Sequence, residues 1–183
     1  MVALTETSRH LRLIRLDTRK LILGGDEACA GIHIANSEIG FRPVTIDALV
    51  YRLVCTNGLV RLVKGQSLFH RRHVGTAWQQ TQRSLEDAIA TAMRVGTHGL
   101  ERFAAATREP IDEPAKLLAN NADRWQLSDD LQEDILRRLG YEPPALRATR
   151  YGLVNAITSA AQLEEPDERY RLETLAGRIL ERA

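Results

Sequence analysis

The hydrophobic periodicity of this chain changes once, near residue 80, and that change limits the possible folds more than any single motif does. From residue 9 to about 75, apolar residues follow the short alternating pattern of β-strands. From Thr81 onward they recur at the three- and four-residue spacing of amphipathic helices. Strands followed by helices indicate an α+β fold, with a mainly antiparallel N-terminal sheet and a C-terminal run of about five helices packed on it.

The strand-rich part divides at turn-forming residues. Alternation around residues 11–16 and 20–23 predicts a hairpin that turns at Asp17-Thr18 and ends at Gly24-Gly25. Residues 31–37 form a third predicted strand, and residues 59–63 and 68–74 form two more around Lys64.

Residues 45–58 fit two structures. Thr45 can cap a helix whose apolar stripe includes Ile46 and Leu49, and Asn57-Gly58 can end that helix in a left-handed turn. Residues 50–55 are also rich in β-branched and aromatic side chains, and Asn-Gly favours a hairpin. We predict one helix inserted in the sheet and keep the strand as the alternative.

The helical part shows several start and stop signals. Pro110, Gly140 and the Pro143-Pro144 pair separate the periodic segments. The five predicted helices open at Ser84, at Asp112 with Pro114, at Ser128, at Thr149, and at Pro166 with Asp167. A chain of 183 residues is expected to form a single domain, 1–183, with a strand-rich half (1–80) and a helical half (81–183).

Charge separates the two halves. The whole chain has a formal net charge of +1, but residues 1–80 carry net +5 and residues 81–183 carry net −4. A basic sheet can follow a phosphate backbone, which predicts single- or double-stranded DNA as a partner. The candidate nucleic-acid-binding residues are Arg12, Arg61, Lys64, Arg71 and Arg72. The alternative is that basic and acidic halves pair, within one chain or between copies in a homo-oligomer.

Other classes of function find little support. Apolar runs are far shorter than the ~20 residues that span a bilayer, and no export signal is evident, so we expect no membrane partner and a cytoplasmic location. Cys29 and Cys55 are interpreted as buried thiols. No phosphate-binding glycine loop or nucleophile elbow occurs, so we predict no catalytic residue and no cofactor.

Histidines are the remaining candidates for metal binding. His70 and His73 would point to opposite faces of a strand, and the two arginines between them would repel a cation. We therefore predict that His70, His73 and His33 form no metal site.

Three strings of polar residues within apolar segments, at 36–40, 52–58 and 151–158, are not explained by packing alone. In this order they resemble the phage/plasmid-like protein family that carries domain of unknown function nine-three-two. The resemblance covers roughly residues 30–160. Its candidate motif residues, whose role is unknown, are Asn36, Glu38, Gly40, Arg52, Cys55, Asn57, Gly58 and Asn155.

The resemblance implies a product of phages, plasmids or integrated elements, with no assigned activity. Members are often longer at the N-terminus, so it also implies a short member or a fragment. From the residues themselves, Asn57-Gly58 is explained by a turn or cap, and Arg52, if it points inward, needs a partner such as Glu38 or Asp47.

The leading hypothesis is a non-enzymatic nucleic-acid-binding protein of a mobile element, such as a recombination or replication accessory. The first rival is a protein-interaction or assembly module. The second is an enzyme whose dispersed site contains Asn36, Glu38, Arg52 and Asn57.

Overall fold

The computed structural model describes residues 2–7, 10–23, 25–36, 43–52, 58–61, 68–71 and 78–181. The strands are β1 (Val2–Thr7), β2 (His10–Leu23), β3 (Asp26–Asn36), β4 (Val44–Arg52), β5 (Gly58–Arg61) and β6 (Phe69–Arg71). The α-helices are α1 (Trp78–Ala105), α2 (Pro114–Trp125), α3 (Asp129–Leu139), α4 (Pro144–Arg147), α5 (Arg150–Ala160) and α6 (Pro166–Glu181). The predicted α+β fold is confirmed, with six α-helices in the described residues where about five were expected.

All strand pairs in the sheet are antiparallel, in the order β1-β2-β3-β4-β5. β6 also pairs with β4, so β5 and β6 share one edge of that strand. β5 runs beside residues 48–51 of β4, and β6 runs beside residues 44–46. β4 therefore pairs with three strands, with β3 on one edge and with β5 and β6 on the other.

The helix predicted over 45–58 is wrong for residues 45–52, which belong to β4. Eight of the nine residues of β4 are buried, because the strand has neighbours on both edges and is covered on both faces. A strand buried on both faces is nearly continuously apolar, so it also contains apolar residues at helical spacing. The strand alternative was correct because of its β-branched and aromatic residues, such as Val50 and Tyr51.

The predicted hairpin turn at Asp17-Thr18 is also wrong. β2 continues through these residues to Leu23, and the pairing with β3 only shifts register between Leu16 and Lys20. The chain instead turns after Leu23, where Gly25 adopts a φ of +86°. A left-handed backbone of this kind suits glycine, so the turn includes Gly25.

The helix boundaries follow the capping residues closely. Ser128 Oγ accepts a hydrogen bond from the Leu131 N–H, and Thr149 Oγ1 accepts one from the Gly152 N–H. These contacts begin α3 and α5 at the predicted positions. α1 begins at Trp78, before the predicted cap at Ser84. In the described part of the chain, no helix combines the length and apolar character needed to cross a bilayer.

The two faces of the sheet contact different helices. Ile32, Ile46 and Phe69 pack against Ala88 and Ala92 of α1. Successive strand residues point to opposite faces, so His33 and Asp47 belong to the other face. There Tyr170 of α6 contacts both of them.

α5 lies at the centre of the helical part, with nine of its eleven residues buried. Gly152 permits its position, because a Cβ atom at this residue would lie 2.1 Å from the Leu146 main-chain oxygen. The Tyr151 hydroxyl donates to the Leu23 main-chain oxygen at 3.0 Å. α5 is thereby held against the end of the sheet that carries the β2–β3 turn.

Candidate functional site

Three of the five predicted nucleic-acid-binding residues lie on described strands. Arg12 is in β2, Arg61 ends β5 and Arg71 ends β6. Lys64 and Arg72 lie outside the described residues. The antiparallel topology therefore places residues from distant parts of the sequence in one sheet.

Backbone register gives the spacing of these arginines. One row of register partners crosses the sheet through Arg12, Ala35, Thr45 and His70. With strands about 4.8 Å apart, this row measures about 14 Å from β2 to β6, where Arg71 follows His70. Arg61 and Arg71 pair with Ala48 and Val44 of β4, so they are about 13 Å apart along the strand direction.

The structure brings together two of the three motif strings. Arg52 ends β4, and its guanidinium carbon lies 5.9 Å from the centre of the Tyr151 ring in α5. Arg52 Nη1 also donates to Glu142 Oε1 at 3.0 Å. Both charged side chains are nearly buried, each about 10% exposed. This group joins the end of β4 to the segment between α3 and α4.

The partner of Arg52 is therefore not the one expected. Asp47 lies farther along β4 and contacts His33 and Tyr170 instead, while Glu38 lies outside the described residues. Glu142 gives no local signal in the sequence, because it is 90 residues from Arg52 and follows Tyr141 in a turn. Glu142 comes next to Arg52 only because the helices pack against the sheet.

The other motif residues are spread over the molecule. Asn36 ends β3, Gly58 begins β5 and Asn155 is buried in α5. Glu38, Gly40, Cys55 and Asn57 lie outside the described residues. Cys29, also interpreted as a buried thiol, is buried in β3.

A single pocket cannot contain both Asn36 and Arg52. Arg52 pairs with Ala28 at one end of β3, and Asn36 is the last residue at the other end. Eight residues of extended strand separate these positions by about 27 Å. The dispersed enzyme site that combines these residues is therefore excluded by the length of the strand.

A second buried polar group lies on the face of the sheet that α6 covers. His33 Nδ1 and Asp47 Oδ2 are 3.3 Å apart, and both side chains are fully buried. The Tyr170 hydroxyl donates to the same Oδ2 at 2.9 Å, and its ring stacks on His33 with centroids 5.3 Å apart. Asp47 Oδ1 is buried and has no hydrogen-bond partner among the described residues.

This cluster can fix the position of α6, but it is closed to a substrate. Its three members come from β3, β4 and α6, and the hydrogen bond from Tyr170 to Asp47 spans 123 residues. The described residues contain no group of three or more His, Cys, Asp or Glu side chains arranged to hold a metal ion. The sequence placed His33 on a strand, but nothing local indicated Tyr170 as its neighbour.

The sequence matches the family described as Domain of unknown function (DUF932) over residues 3–175. The chain belongs to this family. The DUF932 match begins in β1 and ends within α6, so it includes both the strand-rich and the helical half. It also includes Arg52, Glu142 and Tyr151, as well as His33 and Asp47. No curated protein and no solved structure matches the chain.

Proposed function

We propose that this DUF932 protein binds nucleic acid through its basic sheet, without enzymatic activity, as a recombination or replication accessory of a phage, plasmid or other mobile element in the cytoplasm. One observation carries the proposal: the sheet topology places Arg61 of β5 and Arg71 of β6 along one edge of β4, at register positions that belong to the same face of the sheet, whereas Arg12 of β2 lies at a register position of the opposite face. The spacing of about 13 Å between Arg61 and Arg71 is comparable with the length of about four nucleotides, since bases stack at about 3.4 Å.

The pairing of the acidic residues supports the same proposal. Several carboxylates of the helical half pair with arginines of that half, as in Asp134 with Arg138 at 2.6 Å and Glu109 with Arg150 at 2.6 Å. Arg52–Glu142 is an ion pair that joins a basic residue of the strand half to an acidic residue of the helical half. Carboxylates that already pair within the helical half compete less for the arginines of the sheet, which favours an external polyanion as their partner.

Lys20 is not part of the proposed interface. Its Nζ donates to Glu27 Oε2 across the β2–β3 hairpin at 2.6 Å, and this hydrogen bond raises the pKa of Lys20. Arg52 is likewise buried against Glu142. The proposal therefore rests mainly on Arg61 and Arg71, which share one face of the sheet, with Arg12 on the opposite face and Lys64 and Arg72 as the remaining basic candidates.

A fluorescence titration tests the interface, with a labelled single-stranded oligonucleotide and its duplex at several salt concentrations. We expect the logarithm of the binding constant to fall linearly with the logarithm of salt concentration. In the triple variant Arg12→Ala/Arg61→Ala/Arg71→Ala, the slope for the single strand should be smaller by about 1.4, because Arg61 and Arg71 share one face and each lost phosphate contact removes about 0.7.

A matched control separates a specific interface from total charge. The variant Arg83→Ala/Arg94→Ala/Arg108→Ala removes the same charge from three exposed residues of the helical half. Binding that is absent in the wild type, or that falls equally in both variants, would contradict the proposed interface. Circular dichroism confirms that each variant is folded.

One observation favours the alternative, an assembly module. The β2–β3 hairpin exposes two large apolar side chains next to its turn, with Ile22 77% and Leu21 40% exposed. Apolar residues at a hairpin end are suited to contact with another copy of the chain. Light scattering should then show an oligomer that Ile22→Asp dissociates and that Leu163→Asp, at another exposed apolar residue, leaves intact.

A further inference from the structure

A small cavity with an unbalanced positive charge lies between the C-terminal end of α2 and one side of α6. Its volume is about 200 Å³. Three arginines, Arg124, Arg171 and Arg178, line it together with the aromatic Trp125. No carboxylate is among the residues that line it. This arrangement is notable because it occurs in the half of the chain that is acidic overall.

Arg171 is the fixed member of the group. Its Nη1 donates to the Trp125 main-chain oxygen at 2.6 Å, and its Nη2 donates to the Gln126 main-chain oxygen at 3.0 Å. Its Nε donates to Glu168 Oε2 at 2.8 Å, so its charge is largely balanced. Arg171 therefore closes the end of α2, where Gln126 has a left-handed backbone with a φ of 54°.

Arg124 and Arg178 are the members whose charge is not balanced. Both are exposed, and neither forms an ion pair with any carboxylate of the described residues. Like charges that converge on one concave site repel each other, and an anion bound between them relieves that repulsion. The arginine fork is suited to the oxygens of phosphate or carboxylate groups.

The charge and volume of the cavity indicate which anion it can bind. Two unbalanced guanidinium groups match a phosphate monoester, which carries about −1.5 to −2 at neutral pH. A cavity of about 200 Å³ holds a few groups the size of water, at about 30 Å³ each, and is smaller than the ~300 Å³ of sites that enclose drug-sized ligands. We propose that this cavity binds a terminal phosphate group, with Arg124 and Arg178 as its ligands. Arg171 fixes the C-terminal end of α2, which carries Arg124.

Isothermal titration calorimetry with inorganic phosphate tests the site. We expect saturable binding to the wild type, at least about tenfold weaker binding to Arg124→Ala or Arg178→Ala, and loss of binding in the double variant. The double variant Arg83→Ala/Arg94→Ala changes two exposed arginines of α1 and should bind as the wild type does. No binding to the wild type, or equal binding to the double Arg124/Arg178 variant, would overturn the proposal.

Two further arms distinguish the source of the phosphate. A 5′-phosphorylated oligonucleotide that binds more tightly than its 5′-hydroxyl counterpart, and loses that advantage in the double variant, identifies a strand end. Equal binding of the two oligonucleotides, with phosphate binding retained, identifies a free small phosphate. Phosphate binding that persists in Arg12→Ala/Arg61→Ala/Arg71→Ala shows that this site is independent of the proposed sheet interface.

Discussion

Arg52 at the end of β4 donates a hydrogen bond to Glu142, 90 residues later, with 3.0 Å between Nη1 and Oε1. The Glu142 main-chain oxygen accepts a second hydrogen bond from Arg147 Nε at 2.8 Å. Glu142 Oε2 is buried without a hydrogen-bond partner among the described residues. The pair therefore connects the sheet to the helices in a setting where neither charge can easily recover its hydration.

Removing one member of this pair should be strongly destabilising. We expect Arg52→Met to lower the free energy of unfolding by about 3–5 kcal/mol, because Glu142 is left as an uncompensated buried charge. The double variant Arg52→Met/Glu142→Leu should recover part of that loss, and urea unfolding measures both. Lys20→Ala is the control, since its ion pair with Glu27 is about half exposed and should contribute little to stability. A small effect of Arg52→Met would contradict the role given to the pair.

The hydrogen bond between Tyr170 and Asp47 gives a second prediction. Tyr170→Phe removes the donor but keeps the ring on His33, so we expect a loss of about 1.5–3 kcal/mol, the usual range for a hydrogen bond to a charged group. Chemical denaturation of the purified protein measures it. Tyr141→Phe makes the same chemical change at a side chain that is 79% exposed, and it should leave stability unchanged.

Gly152 is expected to tolerate no side chain. In Gly152→Ala the new Cβ would lie 2.1 Å from the Leu146 main-chain oxygen, so α5 or α4 must move, at about 3 kcal/mol or more. Gly25→Ala is the comparison, because it meets no atom within 4 Å and is strained only by its φ of +86°. We expect about 1–2 kcal/mol there. If thermal unfolding gave equal losses for the two variants, the close contact between α5 and α4 would be refuted.

Glu109 predicts a pH dependence of stability. Arg102 lowers the pKa of this carboxyl by donating a hydrogen bond to it. Partial burial acts in the opposite direction, but Arg150, whose Nε lies 2.6 Å from Oε2, lowers the pKa further. A carboxyl whose pKa is lower in the folded state contributes stability that is fully present above the ordinary glutamate pKa of about 4.3 and is lost as the pH falls through the folded value. Glu109→Gln should therefore be less stable than the wild type at neutral pH, and the difference should shrink in acid.

The size of this effect is limited by exposure, since the Glu109 side chain is 34% exposed. Allowing for solvent screening, we expect about 1–2 kcal/mol at neutral pH. Urea unfolding from neutral to acidic pH measures the difference. Glu101→Gln changes a carboxylate that is 69% exposed and should show little difference at any pH. A constant difference for Glu109→Gln across this range would exclude the proposed linkage.

We also propose that residues 1–183 fold as a single α+β domain. Leu23, Ala28 and Val50 of the sheet share one core cluster with Phe103 and Tyr151 of the helices. Unfolding followed by far-ultraviolet circular dichroism and by tryptophan fluorescence should then give coincident transitions. Two separate transitions would show that the sheet and the helices fold as independent units.

Local signals in the sequence correctly predicted elements whose ends depend on their own residues. Ser128 and Thr149 begin α3 and α5 because their side-chain oxygens bind main-chain N–H groups three residues later. Pro114 and Pro166 begin α2 and α6 for a similarly local reason, since proline fits the first turn of a helix. Asp17-Thr18, by contrast, has the composition of a turn but lies within β2, at the register shift between the two segments of that strand that pair with β3.

By itself, the sequence determined the change from strand to helical periodicity and the caps of α3 and α5, because each depends on neighbours within a few residues. It also determined the separation of charge between the halves, which is a count of residues along the chain. Only the tertiary structure decided that β4 is a strand, that Arg52 pairs with Glu142 and that Tyr170 joins His33 and Asp47. These choices depend on burial and on contacts across 90 and 123 residues of sequence, where no local spacing relates the partners. The free energy that selects them comes from desolvation and packing, which exist only once the helices lie against the sheet.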